Sequence, residues 1–215
     1  MPKYINPDLI FENRTEAGKQ LAKRFVNCKF ENPIVVALPR GGVPVAKPIS
    51  DLLHAKLDII VSKKIGAPFN PELAIGAVTS SGDFVIAPYT ELGEKIQDYI
   101  KEQIVYLTKD CQEKEKKYCG NAHITHLYTG HDVIIVDDGI ATGMTAMAAI
   151  KSIKKQNPKN IILAAPVISH EAYEELRDQV NKIEFIKMPK DFIAVGVHYR
   201  NFDQISDKDI KSMLN

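Results

Sequence analysis

The sequence predicts an α/β protein in which a central parallel sheet is flanked by helices. Three observations carry that prediction. Apolar, largely β-branched runs of strand length recur at residues 34–38, 133–136 and 161–168. They show no in–out alternation, which suits strands covered on both faces. Segments of helical periodicity separate them, the alternation expected of βαβ units. Two of the runs end in loops of small residues, at Pro39-Arg40-Gly41-Gly42 and at Gly139 to Gly143.

The elements follow in order. Ala17, Leu21, Ala22 and Phe25 lie at helical spacing within residues 14–25, with Asn13 or Thr15 as cap. Strand 34–38 leads through the Gly-Gly turn into a helix over 43–54, and 57–62 supplies the next strand. Strands at 73–78 and 84–87 are separated by a Ser-Ser-Gly-Asp turn. A polar helix over 92–117 carries one apolar stripe, Ile96, Ile100, Ile104 and Leu107, and reads as an amphipathic helix packed on the core. Strand 133–136 precedes a helix over 143–156. The turn 157–160 then leads to strand 161–168, a helix over 171–180 and strand 184–188. Crossovers between the parallel strands should be right-handed.

Composition narrows the function. The chain has 215 residues, 45% hydrophobic and 26% charged, enough for a sizeable core. A formal net charge of +1 creates no field that would recruit DNA or a membrane surface. No apolar run reaches membrane-span length, and the start MPKYINPDLIFENR lacks a signal-peptide core. Cys28, Cys111 and Cys119 are odd in number and form no CxxC pair, in keeping with a reducing, cytoplasmic setting. Cys119, His123, His126 and His131 are close in sequence, but their spacing fits no closed four-ligand metal pattern.

Chemistry concentrates at the stretch 133–145. An apolar strand ends in Asp137 and Asp138, where ligands of open parallel sheets bind. The loop that follows, Gly139, Ile140, Ala141, Thr142, Gly143, Met144 and Thr145, offers backbone N–H groups, two hydroxyls and a helix start, which suit a phosphate. Acids beside a phosphate site make sense for a phosphorylated sugar, whose hydroxyls donate to the acids. An Asp pair ending a strand and a helix-capping Thr would each be unremarkable alone.

The stretch resembles the PRPP (5-phosphoribosyl 1-diphosphate) loop of type I phosphoribosyltransferases. The resemblance implies that family's fold, with a small hood over the sheet built from the chain termini: a single domain over 1–215, its core about 17–187 and its hood about 1–16 and 188–215. It implies that Asp137 and Asp138 hold the ribose and that residues 139–145 wrap its 5′-phosphate. Pro39, Arg40, Gly41 and Gly42 stand where the family's pyrophosphate loop lies, and a cis peptide at Pro39–Arg40 goes with it. Lys63 and Lys64 resemble the basic residues facing pyrophosphate; adjacent strand residues point oppositely, so either could be the inward one. The segment from Lys63 to Ala77 resembles a bacterial branch of predicted phosphoribosyltransferases whose acceptors are unassigned, and Glu72 within it is a carboxylate to test. Residues 65–70, or more of the stretch up to 129, occupy the interval of the family's mobile lid.

Residues 188–199 resemble the hood of 6-oxopurine enzymes, with Phe192 stacking on a base and the backbone near Val195 addressing its edge; Phe192 could equally be a core residue. Ala141 stands where those enzymes carry an Asp, which leaves the acceptor open, a purine among others. The resemblance further implies Mg²⁺ held mainly by PRPP, with Asp137, Asp138 and Arg40 as the catalytic residues, small-molecule substrates and a homodimer. A non-catalytic PRPP or nucleotide sensor on the same scaffold is the alternative; a PRPP-making enzyme would need an ATP site with its own motif, and the sequence carries none.

Overall fold

The computed structural model describes residues 11–87, 94–120 and 128–214. In chain order its elements are α1 (Arg14–Ala22), β1 (Ile34–Ala37), α2 (Gly42–Leu53), β2 (Lys56–Ile59), β3 (Ser62–Ala67), β4 (Asn70–Thr79), β5 (Phe84–Ile86), α3 (Glu94–Cys119), β6 (Asp132–Val136), α4 (Met144–Lys154), β7 (Asn160–Val167), α5 (His170–Leu176), β8 (Lys182–Lys187) and α6 (Asp207–Leu214).

The central sheet has strand order β2-β1-β6-β7-β8 and every pair is parallel, as the unbroken apolar runs predict. β1 and β6 are wholly buried, and helices cover both faces. One core cluster joins Leu21, Phe25, Val45 and Ile49 of the α1–α2 side to Val35 and Ile134. The other joins Val36, Ile135 and Leu163 to Ile150 and Ile153 of α4 and Leu176 of α5. The strand order reverses between β1 and β6. That makes a topological switch point, and the loops leaving those two strands diverge over a crevice.

Local chemistry explains the helix starts. Asn13 caps α1 by accepting from the Glu16 N–H at 2.9 Å, and Ser169 caps α5 by accepting from the Ala172 N–H at 3.0 Å. The helix expected over 14–25 is continued from Ala22 by a 3-10 turn at Lys23–Phe25. Likewise α5 gives way to a 3-10 turn at Arg177–Gln179 before Val180. Both ends tighten as the last helical carbonyls run out of partners.

The largest departure from the sequence reading is a second sheet. β3, β4 and β5 form a three-stranded antiparallel sheet inserted between β2 and β6. Connections this short permit only antiparallel pairing. The second half of β3 falls within 65–70, the lid interval of the sequence reading, where Gly66 and the following Pro68 signal a tight turn. The strand accommodates Gly66 through register shifts on either side of it, and a Cβ there would lie 2.5 Å from the Pro71 carbonyl oxygen.

α3 packs its stripe as expected: Ile100 and Leu107 are buried with Ile65, Ile75 and Val78, and Ile96 and Ile104 flank them. The opposite face of β4 lies on α4, where Ala74 and Ala77 bury against Met144 and Ala148. The inserted sheet is therefore sandwiched between α3 and α4. Its Ser-Ser-Gly-Asp turn is pinned to α4 by an Asp83–Lys155 ion pair and by Ser81 bonding Ser152 at 2.9 Å.

The two ends of the described chain meet. Phe11 pairs with Tyr199, the Phe11 N–H donates to the His198 carbonyl at 3.0 Å, and the Arg200 N–H donates to the Phe11 carbonyl at 2.9 Å. α6, absent from the sequence reading, returns Ile210 to full burial in the α1–α2 core cluster. Among the described residues no helix is long and apolar enough to cross a membrane. Cys28, Cys111 and Cys119 are free thiols. His123 and His126 lie outside the described residues, and the His131 ring is 2.6 Å from the Asn32 carbonyl oxygen.

Helices α1 and α2 approach backbone to backbone at Gly18, where a Cβ would lie 2.5 Å from the Val45 carbonyl oxygen. Gly18→Ala is expected to destabilise the fold by about 1–3 kcal/mol through overpacking. Urea unfolding should show a lower midpoint with an unchanged slope; an unchanged midpoint would show that the helices give way freely.

Candidate active site at the switch point

The loops that follow β1 and β6 lie side by side in the crevice. The Leu38 N–H donates to the Val136 carbonyl at 2.9 Å, so the β1–β6 ladder continues one residue past the strand end. Beyond it the chain turns through a cis Pro39–Arg40 peptide, as expected for this loop. Two glycines then permit contact that no other residue would. A Cβ on Gly41 would lie 1.9 Å from an Asp138 carboxylate oxygen, and one on Gly42 would lie 2.5 Å from the Val136 carbonyl oxygen. The structure thus brings the Arg-Gly-Gly turn and the Asp pair, distant in sequence, into one site.

The two acids have different surroundings. Asp138 accepts from Arg14 Nε at 2.6 Å, and its backbone carbonyl accepts from the Tyr199 hydroxyl at 2.5 Å. Arg14 is itself held: Nη1 donates to the Asp203 carbonyl at 2.8 Å, and the guanidinium stacks 3.7 Å over the Phe202 ring. Asp137 accepts the Asp138 N–H at 2.8 Å. Burial first, and the Asp138 carboxylate second, push its carboxyl well above the ordinary carboxylate range. One acid is therefore fixed by a cation, and its neighbour resists ionisation.

The loop after the acids is braced from below. Ile140 donates to the Val167 carbonyl at 2.9 Å, and the Ser169 hydroxyl donates to the Ala141 carbonyl at 2.6 Å. Gly143 takes a left-handed conformation, φ 71°, as the residue before α4. The first N–H groups of that helix, from Met144 and Thr145 onward, have no intrahelical partner. Ala141 and Thr142 are exposed, Thr145 is half-buried, and Met144 is buried against the inserted sheet. An exposed N-terminus and hydroxyls over a braced turn can receive a phosphate.

The basic candidates separate. Lys63 pairs with Asp110 of α3, whose same oxygen lies 3.8 Å from Lys114 Nζ. Burial works to depress the Lys63 pKa, but the Asp110 carboxylate outweighs it and holds the ammonium above its ordinary value. Lys64 stands opposite Ala77, on the face of the inserted sheet that packs on α4, and is exposed. Of the two, Lys64 lies on the α4 side of the sheet. Arg40 points to α6, its Nη1 3.9 Å from Asp207. Phe192 is half-buried with its ring 5.8 Å from that of His198, outside the core clusters. Val195 packs over the loop, because a Cβ on Gly139 would lie 2.5 Å from its side chain. Glu72 is exposed on β4.

The sequence reading missed Arg14, Tyr199 and Asp207. Arg14 and Asp207 belong to no motif, and Tyr199 only closes the hood segment; Arg14 and Tyr199 reach Asp138 because the segments 11–14 and 198–203 meet. A groove of about 520 Å³ borders this junction, lined by Arg14, Thr15, Pro44, Asn201 and Asp203. Among the described residues no group of three or more His, Cys, Asp or Glu side chains gathers as a metal cage.

Known proteins resemble this chain over most of its length. The family model of the phosphoribosyl transferase domain matches residues 10–200. Two curated relatives from Mycobacterium tuberculosis, strains CDC 1551 / Oshkosh and H37Rv, carry provisional names as phosphoribosyl transferases. Each is 35% identical over 211 residues, which is 96% of this chain and 46% of the relative. The chain thus spans about half the length of the curated relatives it matches. The crystal structure of TT1426 from Thermus thermophilus superposes with a TM-score of 0.80 at 34% identity, covering 96% of this chain and 98% of that one. A Neisseria gonorrhoeae protein crystallised with bound ppGpp shares the fold at 12% identity and a TM-score of 0.50, covering 94% of this chain and 90% of that one.

The raised Asp137 carboxyl has a thermodynamic consequence. A carboxyl whose pKa is higher in the folded chain contributes stability below its ordinary pKa and loses it as the pH rises through the elevated value. Asp137→Asn keeps an oxygen for the Asp138 N–H and removes the charge. Its melting temperature should exceed that of the parent by about 3 °C or more near pH 8, with the gap closing toward about pH 4. Thermal unfolding at both pH values checks this; an equal gap at each would remove electrostatics as the cause.

Proposed function

The chain belongs to the phosphoribosyl transferase family, and on that premise we propose that it transfers the 5-phosphoribosyl group of PRPP to a nitrogenous acceptor with release of pyrophosphate. The observation that carries the reading is the contact of Gly41 with the Asp138 carboxylate, which sets a turn suited to pyrophosphate against acids suited to ribose hydroxyls. A sugar whose 1-diphosphate and hydroxyls must be held together needs those two features adjacent.

In this reading Asp137 and Asp138 accept the ribose hydroxyls, and the ion pair with Arg14 aims Asp138. Residues 139–145 and the α4 N-terminus receive the 5′-phosphate. Pro39, Arg40, Gly41 and Gly42 receive the pyrophosphate, with Lys63 or Lys64 as the basic residue from the inserted sheet. Departure of pyrophosphate leaves positive charge on the sugar, as in glycoside cleavage. The protein's work is then to position the acceptor nitrogen and to stabilise the leaving group. Mg²⁺ fits the donor set: with one acid already paired to Arg14 and no carboxylate cage among the described residues, the ion would rest mainly on substrate oxygens and water, and it would neutralise charge on the pyrophosphate.

Phe192 and the backbone near Val195 would meet the acceptor. Ala141 leaves its identity open, since it provides no carboxylate to exchange a proton with a purine. The same reading treats residues about 17–187 as the core, with flanking segments as the hood of one domain, in a cytoplasmic homodimer.

Pyrophosphate release from PRPP and Mg²⁺ across a panel of purines, pyrimidines, imidazoles and amines tests the reading. Turnover with at least one acceptor is expected, whereas tight PRPP binding without any turnover would make the protein a sensor. Replacing both Asp137 and Asp138 by Asn should weaken PRPP binding about 100-fold or more, since both carboxyl groups that receive the ribose hydroxyls are lost. Equilibrium binding of PRPP measures it, and unchanged affinity would move the ribose site elsewhere. Arg40→Ala should lower turnover about tenfold or more while ribose 5-phosphate still binds.

A further inference from the structure

The Arg40 side chain is 39% exposed, yet its Nη1 comes within 3.9 Å of Asp207 Oδ1. Its guanidinium shares the Asp207 carboxylate with two groups of α3: Lys117 Nζ lies 2.5 Å from Oδ2, and the Tyr118 hydroxyl donates to Oδ1 at 3.1 Å. Donors from the β1 turn and from the long helix thus converge on one negative charge supplied by α6. The convergence favours an anion. Lys117 first, and the Tyr118 hydroxyl after it, hold the Asp207 carboxyl below the usual carboxylate range. Burial and then Asp207 push the Tyr118 phenol up to about 12, so it remains a hydrogen-bond donor at neutral pH.

Asp207 is not required for the helix it begins. α6 is capped by Ser206 and Asp209, through Asp209 N–H to Ser206 Oγ at 3.2 Å and Ser206 N–H to Asp209 Oδ2 at 3.2 Å. It is anchored by Ile210, which is fully buried. The Asp207 carboxylate can therefore rotate away without undocking the helix. Its bonds are also easily exchanged: the Lys117 side chain is 57% exposed, and exposed ion pairs are weak.

We propose that Arg40, Lys117 and Tyr118 form a binding patch for the pyrophosphate portion of the donor, which the Asp207 carboxylate occupies as an internal counter-ion and yields to the incoming phosphate. The proposal rests on the transferase reading and adds two α3 residues and a competitor from α6 to its leaving-group site. A pyrophosphate outcompetes a single carboxylate because it offers more charge and more oxygens to the guanidinium fork, the ammonium and the phenol. Lys63 and Lys114, gathered on Asp110 of the same helix, add positive potential nearby.

Calorimetric titration with inorganic pyrophosphate, and separately with ribose 5-phosphate, both in MgCl₂, tests the patch on the full chain. Asp207→Asn should bind pyrophosphate about three- to tenfold more tightly than the parent, and Lys117→Met about tenfold more weakly. Both variants should bind ribose 5-phosphate within about twofold of the parent. A gain of affinity in Asp207→Asn cannot arise from misfolding. If the parent binds both ligands but neither variant changes pyrophosphate affinity, or Asp207→Asn weakens it, the patch is overturned and the transferase reading stands. If the parent binds neither ligand, the transferase reading falls and the patch with it.

Discussion

The parallel pairing of β1 with β6, in register from Ile34 opposite Val133 to Ala37 opposite Val136, is the constraint on which the rest of the site depends. These strands are distant in sequence, yet their ends coincide, so the turn at residues 38–42 and the acids at 137 and 138 leave the sheet at the same level. The order of the sheet reverses between them, so the following helices depart to opposite faces and leave a crevice. Buried β-branched side chains on both faces fix the register. A slip of one residue would turn each strand's side chains to the opposite face and would part Gly41 from Asp138.

Around that junction the structure trades stability against a charged site. Asp137 is disfavoured as an anion in its own fold, while Asp138 is compensated by a buried, stacked Arg14. An uncompensated pair of adjacent carboxylates would be costly, and a fully neutralised pair would have little affinity for hydroxyls. Tying Arg14 to Asp203 and Phe202, and Tyr199 to the Asp138 carbonyl, makes the meeting of the chain ends part of the site's electrostatics. Disturbing that meeting should be felt at Asp138 before it is felt in the sheet.

The inserted sheet and α3 extend the same logic. The β4 face carrying Ala74 and Ala77 supports α4, whose N-terminus follows the acids, and the opposite face carries α3. α3 then brings Asp110, Lys114, Lys117 and Tyr118 toward the β1 turn and α6. A helix that reads from its sequence as a solvated amphipathic element does pack as one. It also carries polar groups whose position matters because of where its far end lands.

Whatever rests on local pattern was legible in the chain before it folded. Unbroken β-branched runs specify buried parallel strands, the Asp137-Asp138 to Thr145 stretch specifies a strand, turn and helix start, and the Ile96 to Leu107 stripe specifies how α3 packs. Asn13 could be named as a cap because capping is a matter of a few residues. β3 was hidden because Gly66 and Pro68 locally signal a loop, and only pairing with β4 overrides them. Whether Lys63 or Lys64 faces α4 could not be decided from a period of two without knowing what covers each side of the sheet. The partners of Asp138 and Arg40 were equally out of reach: nothing local marks Arg14, Tyr199 or Asp207 for these roles, and they act through contacts between segments far apart in sequence. Tertiary structure decided these, because a side chain's electrostatic role is set by which charge it meets, and that depends on how the segments 11–14 and 198–207 fold back on the sheet.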